Sequence, residues 1–296
     1  MFTSALTSRW RRTGRAQPVD QRHGARGGVA RAVCAGAAGR HALTTAGLVA
    51  AAAAAALALA MPAGASTGAA QIRPEQAGHT ATGAAMPAHW WQAEGNAKDS
   101  VGTDHGRLVG AGFGPGVLGP DQAFSFAGGG QRVVFNKSGG NLGRGDFTLA
   151  FDIKTTATVM PVGVWEKRIA CNTNGTPFWE FSMVGPPQQA GAITFGYGTP
   201  PAANPNATST TRINDGKWHQ VAATRHGRTV KLYIDGTLEA TATSAATLNL
   251  TNTSPMRAGV STCDGIDGTH PFTGELDELM IFRTAFTQQQ IQALGS

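Results

Sequence analysis

The chain has 296 residues, with 24 basic and 18 acidic side chains, a net charge of +6, 41% hydrophobic residues, 40 glycines and three cysteines. Its basic excess sits at one end: Arg9, Arg11, Arg12, Arg15, Arg22, Arg26, Arg31 and Arg40 fall in residues 1–65 against the single acid Asp20, so 24 less 8 leaves 16 basic, 18 less 1 leaves 17 acidic, and the remainder carries −1. A remainder so close to neutral excludes charge-driven binding to nucleic acid or to an anionic membrane as its task.

Residues 1–65 read as a secretory signal: a basic segment, an apolar Ala/Leu run over 42–61, and the small-residue site Ala63-Gly64-Ala65, with cleavage expected after Ala65. The basic segment is long, which a start nearer Val29 or a twin-arginine signal through Arg11-Arg12 would explain. A retained anchor helix is the other reading of the apolar run, against which its alanine content and the cleavage site argue. Residues 66–87 are rich in Ala, Gly, Thr and Pro without an apolar period, and are expected to form a flexible linker. The mature chain is therefore expected to be secreted, with no membrane span.

From residue 88 to 296 short alternating runs are separated by Gly, Asn, Asp and Pro clusters, the pattern of an all-β sandwich. Strands are predicted at 88–93, 123–126 and 131–135. The clearest is 146–154, where Phe147, Leu149, Phe151 and Ile153 share one face and Thr148, Ala150, Asp152 and Lys154 the other. Strands at 162–168, 178–183 and 192–197 follow. Segments 218–225 and 229–234 form a hairpin around His226-Gly227, with Val230, Leu232 and Ile234 toward the core and Lys231 and Tyr233 away from it. Asp235-Gly236 turns the chain into 238–243; strands at 256–260 and 272–282 close the domain. Thr287 and Gln290 make a capping box for one short C-terminal helix over 288–294. Trp218 and the alternating apolar residues supply faces that must bury against a second layer, which predicts a two-sheet antiparallel sandwich.

Cys34 precedes the apolar run and leaves with the leader, so Cys171 and Cys263 remain, and an isolated pair in an exported chain is expected to form a disulfide closing 92 residues. Other chemistry is thin. Gly259-Val260-Ser261-Thr262-Cys263 lacks the last glycine of a nucleophile elbow. No histidine pair has zinc spacing, and His219 beside Trp218 reads as a surface or packing residue. Asp264-Gly265-Ile266-Asp267-Gly268 is too short for an EF-hand loop and reads as a turn. Arg144-Gly145-Asp146 spells an integrin-recognition tripeptide at a position where turn chemistry explains it.

The run Asp215-Gly216-Lys217-Trp218-His219-Gln220-Val221, continuing to Lys231-Leu232-Tyr233-Ile234-Asp235-Gly236, resembles the central hairpin of laminin-G-like domains of the concanavalin A-like lectin/glucanase superfamily. Phe272-Thr273-Gly274-Glu275-Leu276-Asp277-Glu278-Leu279 resembles that family's closing strand, and His89-Trp90 with Asn96-Ala97-Lys98-Asp99-Ser100-Val101-Gly102 its opening strand and loop. The three matches occur in the family's order and span nearly all of the mature chain. The resemblance implies a jelly-roll sandwich and a structural calcium, with Asp99 and Asp277 as side-chain ligands and Asn96 and the carbonyls of 104–106 as weaker candidates. Independently, Asp277 lies between Leu276 and Leu279, and a buried carboxylate there needs a cation or several hydrogen bonds; acceptance of backbone N–H groups is the competing reading.

The fold class also includes laminarinase-type glycoside hydrolases, which place two or three acids at even spacing on one strand face. Here Glu275 and Asp277 share a face, but Leu279 and Met280 stand where a third acid belongs, so no catalytic residue is assigned. The chain is expected to be a non-enzymatic binding module for carbohydrate, a cell-wall polymer or another extracellular surface. A glycoside hydrolase and an adhesive accessory of the cell envelope are the alternatives. Trp165, Trp179 and Tyr197 are candidate sugar platforms, with core packing as the competing role. Oligomeric state and the specific ligand are not encoded in any motif.

Overall fold

The computed structural model describes residues 85–200 and 205–295; the expected signal segment, its cleavage site and all but the last three residues of the expected linker lie outside them. In chain order the strands are β1 (His89–Trp91), β2 (Gly106–Val109), β3 (Gly112–Pro115), β4 (Gln122–Ala127), β5 (Arg132–Phe135), β6 (Phe147–Lys154), β7 (Val162–Lys167) and β8 (Phe178–Met183). They continue with β9 (Ala192–Gly198), β10 (Asn206–Arg212), β11 (Trp218–His226), β12 (Thr229–Ile234), β13 (Thr237–Thr243), β14 (Arg257–Ala258), β15 (His270–Pro271) and β16 (Thr273–Phe282), followed by helix α1 (Gln288–Gln292).

The described residues form two eight-stranded sheets. The first runs β13-β12-β11-β6-β16-β4-β3, with β1 also on β16; the second runs β10-β9-β8-β7-β14-β5-β2, with the short β15 on β7. Every pairing is antiparallel except β15 with β7. The period-two pattern explains why both layers form. Phe147, Leu149, Phe151 and Ile153 of β6 and Val230, Leu232 and Ile234 of β12 enter a core shared with Trp165, Trp179, Phe181, Phe195 and Tyr197 of the other sheet. Each such aliphatic or aromatic side chain contributes about 1.5–3 kcal/mol by leaving water.

The outer face of the first sheet is covered over part of its length. Ile291 of α1 and Phe286 pack on Ala150, Ala222, Tyr233, Met280 and Phe282. Tyr233 thus faces away from the central core, as its position in the hairpin predicts, yet is 2% exposed because the helix roofs it. Thr287 caps that helix in a capping box with Gln290. Trp218 departs from expectation: it does not bury against the second sheet but is half-buried opposite Lys154, whose ammonium lies 5.8 Å from its ring. Among the described residues no helix is long and apolar enough to cross a membrane.

β16 changes partners along one edge. Its first half, Thr273 to Leu276, pairs with β4, and its second half, Leu279 to Ile281, pairs with β1. Between the halves the pairing with β6 shifts register, and Glu278 takes a left-handed conformation at φ 50°. Such a bulge re-aims side chains where regular pairing stops.

Candidate functional site

The partner change on β16 assembles a carboxylate cluster. Asp277 lies at the change, Asp121 immediately precedes β4, and Glu94 lies three residues beyond β1. Asp277 is fully buried and accepts hydrogen bonds from the Val117 N–H at 3.1 Å and the Glu278 N–H at 2.9 Å. Asp121 is 5% exposed, and neither of its carboxylate oxygens has a hydrogen-bond partner. Gly116 packs between the two: a Cβ built there would lie 2.9 Å from Asp277 Oδ2 and 3.0 Å from Asp121 Cγ. The Gly116 N–H holds the turn by donating to the Asp121 carbonyl at 2.8 Å.

Burial, and then the negative charges of Asp121 and Glu94, push the Asp277 carboxyl up to about 7 against the pull of its two backbone donors. Asp152, paired with Asp277 across the sheet, is pushed up to about 7 by burial and by Asp277, Asp235 and Asp121. Glu278 rises to about 8 through burial, opposed by its bond from the Trp90 indole N–H and reinforced by Asp277, Asp152 and Asp121. An orphaned buried carboxylate beside a second one, without a basic partner, fits a hard cation with oxygen ligands. Asp121 and Asp277 are the residues that would hold it.

Asp99 and Asp277, the two expected ligands, have separate sets of hydrogen-bond partners. Asp99 accepts from the N–H groups of Trp90 (3.0 Å), Val101 (3.3 Å), Gly102 (2.9 Å) and Asp104 (3.2 Å), and from His89 Nδ1 at 2.8 Å. Burial opposes its ionisation, but His89 and those backbone donors outweigh it and hold the carboxyl below its ordinary value. With its lone pairs engaged, Asp99 organises the opening loop and shares no partner with Asp277. Asn96 is also spent locally, its amide donating to the Glu94 carbonyl at 2.8 Å and its oxygen accepting from the Lys98 N–H at 2.8 Å. The Asp104 carbonyl accepts from the Trp91 indole at 2.9 Å. Sequence reasoning missed Asp121, whose only local signal is an acid after Gly119-Pro120 at the mouth of a strand.

Cys171 and Cys263 form a disulfide, with Cα atoms 4.8 Å apart. Trp165, Trp179 and Tyr197 are all 0% exposed, so the core claims them and none offers a platform to a sugar. His219 is held between Asp235 (2.9 Å) and Asp215 (3.1 Å), which raise its pKa against the effect of burial, and it serves the hairpin turn. Asp146 of the Arg-Gly-Asp tripeptide accepts from the Gly227 N–H and pairs with His226, both at 2.8 Å, a turn lock. Asp264 likewise accepts from the Ser261 N–H at 3.1 Å within its own turn.

A two-sheet jelly roll with Asp277 and Glu278 enclosed where its closing strand changes partners defines a domain of the lectin-like sandwich class. The chain belongs to the Laminin_G_3 family of the concanavalin A-like lectin/glucanases superfamily, whose model matches residues 127–292. Among solved structures it is similar to domain 4 of AbnA, an extracellular arabinanase from Geobacillus stearothermophilus, in complex with arabinotriose. The identity is 18%, the match covers 72% of this chain and 99% of that one, and the TM-score is 0.58. It is also similar to the binding domain of Paraclostridial Mosquitocidal Protein 1, at 13% identity over 70% of this chain and 52% of that one, TM-score 0.54. The botulinum neurotoxin serotype D ligand binding domain in complex with N-acetylneuraminic acid matches at 16% identity over 71% of this chain and 50% of that one, TM-score 0.54. The chain thus spans about half the length of these toxin domains, and at such identities the likeness shows the fold. No curated protein matches the chain at a significant level.

Proposed function

We propose that this protein is an exported, non-catalytic binding module for extracellular glycan, with a calcium ion held by Asp121 and Asp277 where β16 passes from β4 to β1. The observation that carries the non-catalytic reading is the enclosure of Asp277 and Glu278. Asp277 is 0% exposed and Glu278 is 8% exposed and bonded to Trp90. A glycoside hydrolase needs two carboxyl groups open to the scissile bond. Carboxylates enclosed beside an orphaned Asp121 are suited instead to a structural cation. Binding of arabinotriose by the arabinanase domain and of N-acetylneuraminic acid by the neurotoxin domain supports carbohydrate as the ligand class.

The test uses the full chain recovered after export, applied to a glycan array in calcium and after chelation. Specific binding to one glycan class supports the reading, with chelation lowering the melting temperature of the domain. New reducing ends released from β-glucans would overturn the non-catalytic assignment. A blank array together with retention on isolated cell walls would move the protein to the adhesive class.

A further inference from the structure

We infer that the glycan subsite is the pocket in the loop between β7 and β8, and that it takes one neutral, hydroxyl-rich sugar ring rather than an acidic one; this rests on the glycan-binding reading above. The pocket holds about 240 Å³ and is lined chiefly by Arg168, Asn172, Thr173, Asn174, Thr176 and Phe178. That is smaller than the roughly 300–1,000 Å³ usual for drug-sized ligands, and suits a single ring.

Its lining is made of groups that pair with hydroxyls. Asn172 and Asn174 are exposed, and neither side-chain amide has a hydrogen-bond partner among the described residues. An amide offers both donors and an acceptor, which matches a sugar hydroxyl that does the same. The loop carrying them is held in shape before any ligand arrives. Thr173 Oγ1 donates to the Ala170 carbonyl at 2.7 Å, and Thr176 Oγ1 to the Thr173 carbonyl at 3.1 Å. The Gly175 N–H reaches the Pro200 carbonyl, and Cys171 is bonded to Cys263. A loop already ordered loses little entropy on binding.

The electrostatics select against an anion. The pocket's cation is Arg168, whose guanidinium lies over the Phe178 ring with Cζ 3.9 Å from the centroid. Its Nη1 donates to Glu180 Oε2 at 2.9 Å and to Cys263 Sγ at 3.2 Å. Arg168 is therefore already engaged by groups of the protein itself. Buried Glu166 lies opposite Glu180 in the sheet, and Asp267 sits beside the disulfide with Oδ2 3.7 Å from Cys171 Sγ. A ligand carboxylate would have to compete with Glu180 for Arg168. Arg168 acts as a rigid wall and a neutral-ligand donor.

The test compares the full chain with the double variant Asn172→Gly, Asn174→Ala. Glycine preserves the backbone at position 172, where φ is +54°. On an array holding neutral glycans, arabinotriose among them, and acidic ones, N-acetylneuraminic acid among them, the native protein is expected to bind neutral members. The variant is expected to lose at least tenfold in affinity while its melting temperature stays within a few degrees. Titrating the best neutral oligosaccharide into the native protein should shift the side-chain amide resonances of Asn172 and Asn174, a readout independent of the variant. Undiminished binding by the folded variant, with those resonances unmoved, would overturn the site and leave glycan binding standing. Preference for acidic glycans would overturn the ligand class, and a blank array would remove both this subsite and the reading it rests on.

Discussion

Replacing both Cys171 and Cys263 by alanine should cost the domain about as much as truncating a large core side chain. The bridge spans 92 residues of sequence and joins the β7–β8 loop to the turn after β14. A cross-link over a loop of that length removes about 4.6 kcal/mol of denatured-state entropy in the chain-entropy model, an upper figure because denatured chains keep some structure. For a domain of about 200 residues each kcal/mol moves the melting temperature by roughly 2–4 °C, so a fall of about 9–18 °C is expected. Alanine is the right replacement because Cys263 is 3% exposed and a serine hydroxyl would need a partner there. Calorimetry of the variant should match that of the native protein held in reductant. A fall below about 3 °C would refute the reasoning. It would mean that the Glu166 carboxylate, which accepts from Ser261 Oγ at 2.8 Å and the Thr262 N–H at 2.7 Å, holds the two loops together unaided.

Three further outcomes separate the roles of individual acids. Calcium added to chelated protein at about 100 times its Kd should stabilise it by about 2.7 kcal/mol; Asp121→Asn and Gly116→Ala should abolish the melting shift and Asp99→Asn should retain it, and a shift lost only in Asp99→Asn would reverse the assignment. Asp99→Ala should cost about 2–4 kcal/mol in urea denaturation, because the N–H groups of Trp90, Gly102 and Asp104 lose a charged acceptor; a midpoint unchanged from native would show that the opening loop does not need it. Glu180 is held up to about 7 from an ordinary 4.5, by burial first and against the pull of Arg168. The folded state therefore binds its proton more tightly than the unfolded chain, so this group's contribution to stability declines as pH rises from about 4.5 to 7. Glu180→Gln should flatten the decline of the urea midpoint between pH 5 and 7.5, and an equally steep decline in the variant would contradict it.

What the sequence reveals of the fold follows from how each strand is buried. β6 and β12 each turn one face to the core and the other outward, so their alternation is visible residue by residue. β10, Asn206-Ala207-Thr208-Ser209-Thr210-Thr211-Arg212, is an edge strand in which only Ala207 and Ser209 are buried, and its polar text carries no apolar period. Its threonines favour extended backbone, but a pattern of burial is what separates a strand from a loop. β2 and β3 are hidden for another reason. Gly106 begins β2 because a Cβ there would come within 2.9 Å of Val133 Cγ1, so close packing requires the residue that reads as a turn. The aromatics Trp165 and Trp179 show the limit in the opposite sense, since a large ring in a middle strand looks the same in sequence whether it faces the core or a ligand.

The carboxylate cluster shows why the proposed cation site is harder to read than a strand. Asp277 stands out because a carboxylate between apolar neighbours must find compensation. Its companion depends on β16 passing from β4 to β1, a long-range event that no local window contains. Asp99 is expected as a ligand because the family resemblance places it in the opening loop, yet that loop curls so that the amides of Val101, Gly102 and Asp104 point back at its carboxylate. Asp121 opens directly into β4, whose backbone is shared between β3 and β16, and no amide turns toward its side chain. A carboxylate already surrounded by N–H donors has few lone pairs left for a metal, whereas one buried without them has all of its lone pairs to give. The direction of the neighbouring amides, more than the presence of an acid in a loop, decides which of the two aspartates is fitted to a cation.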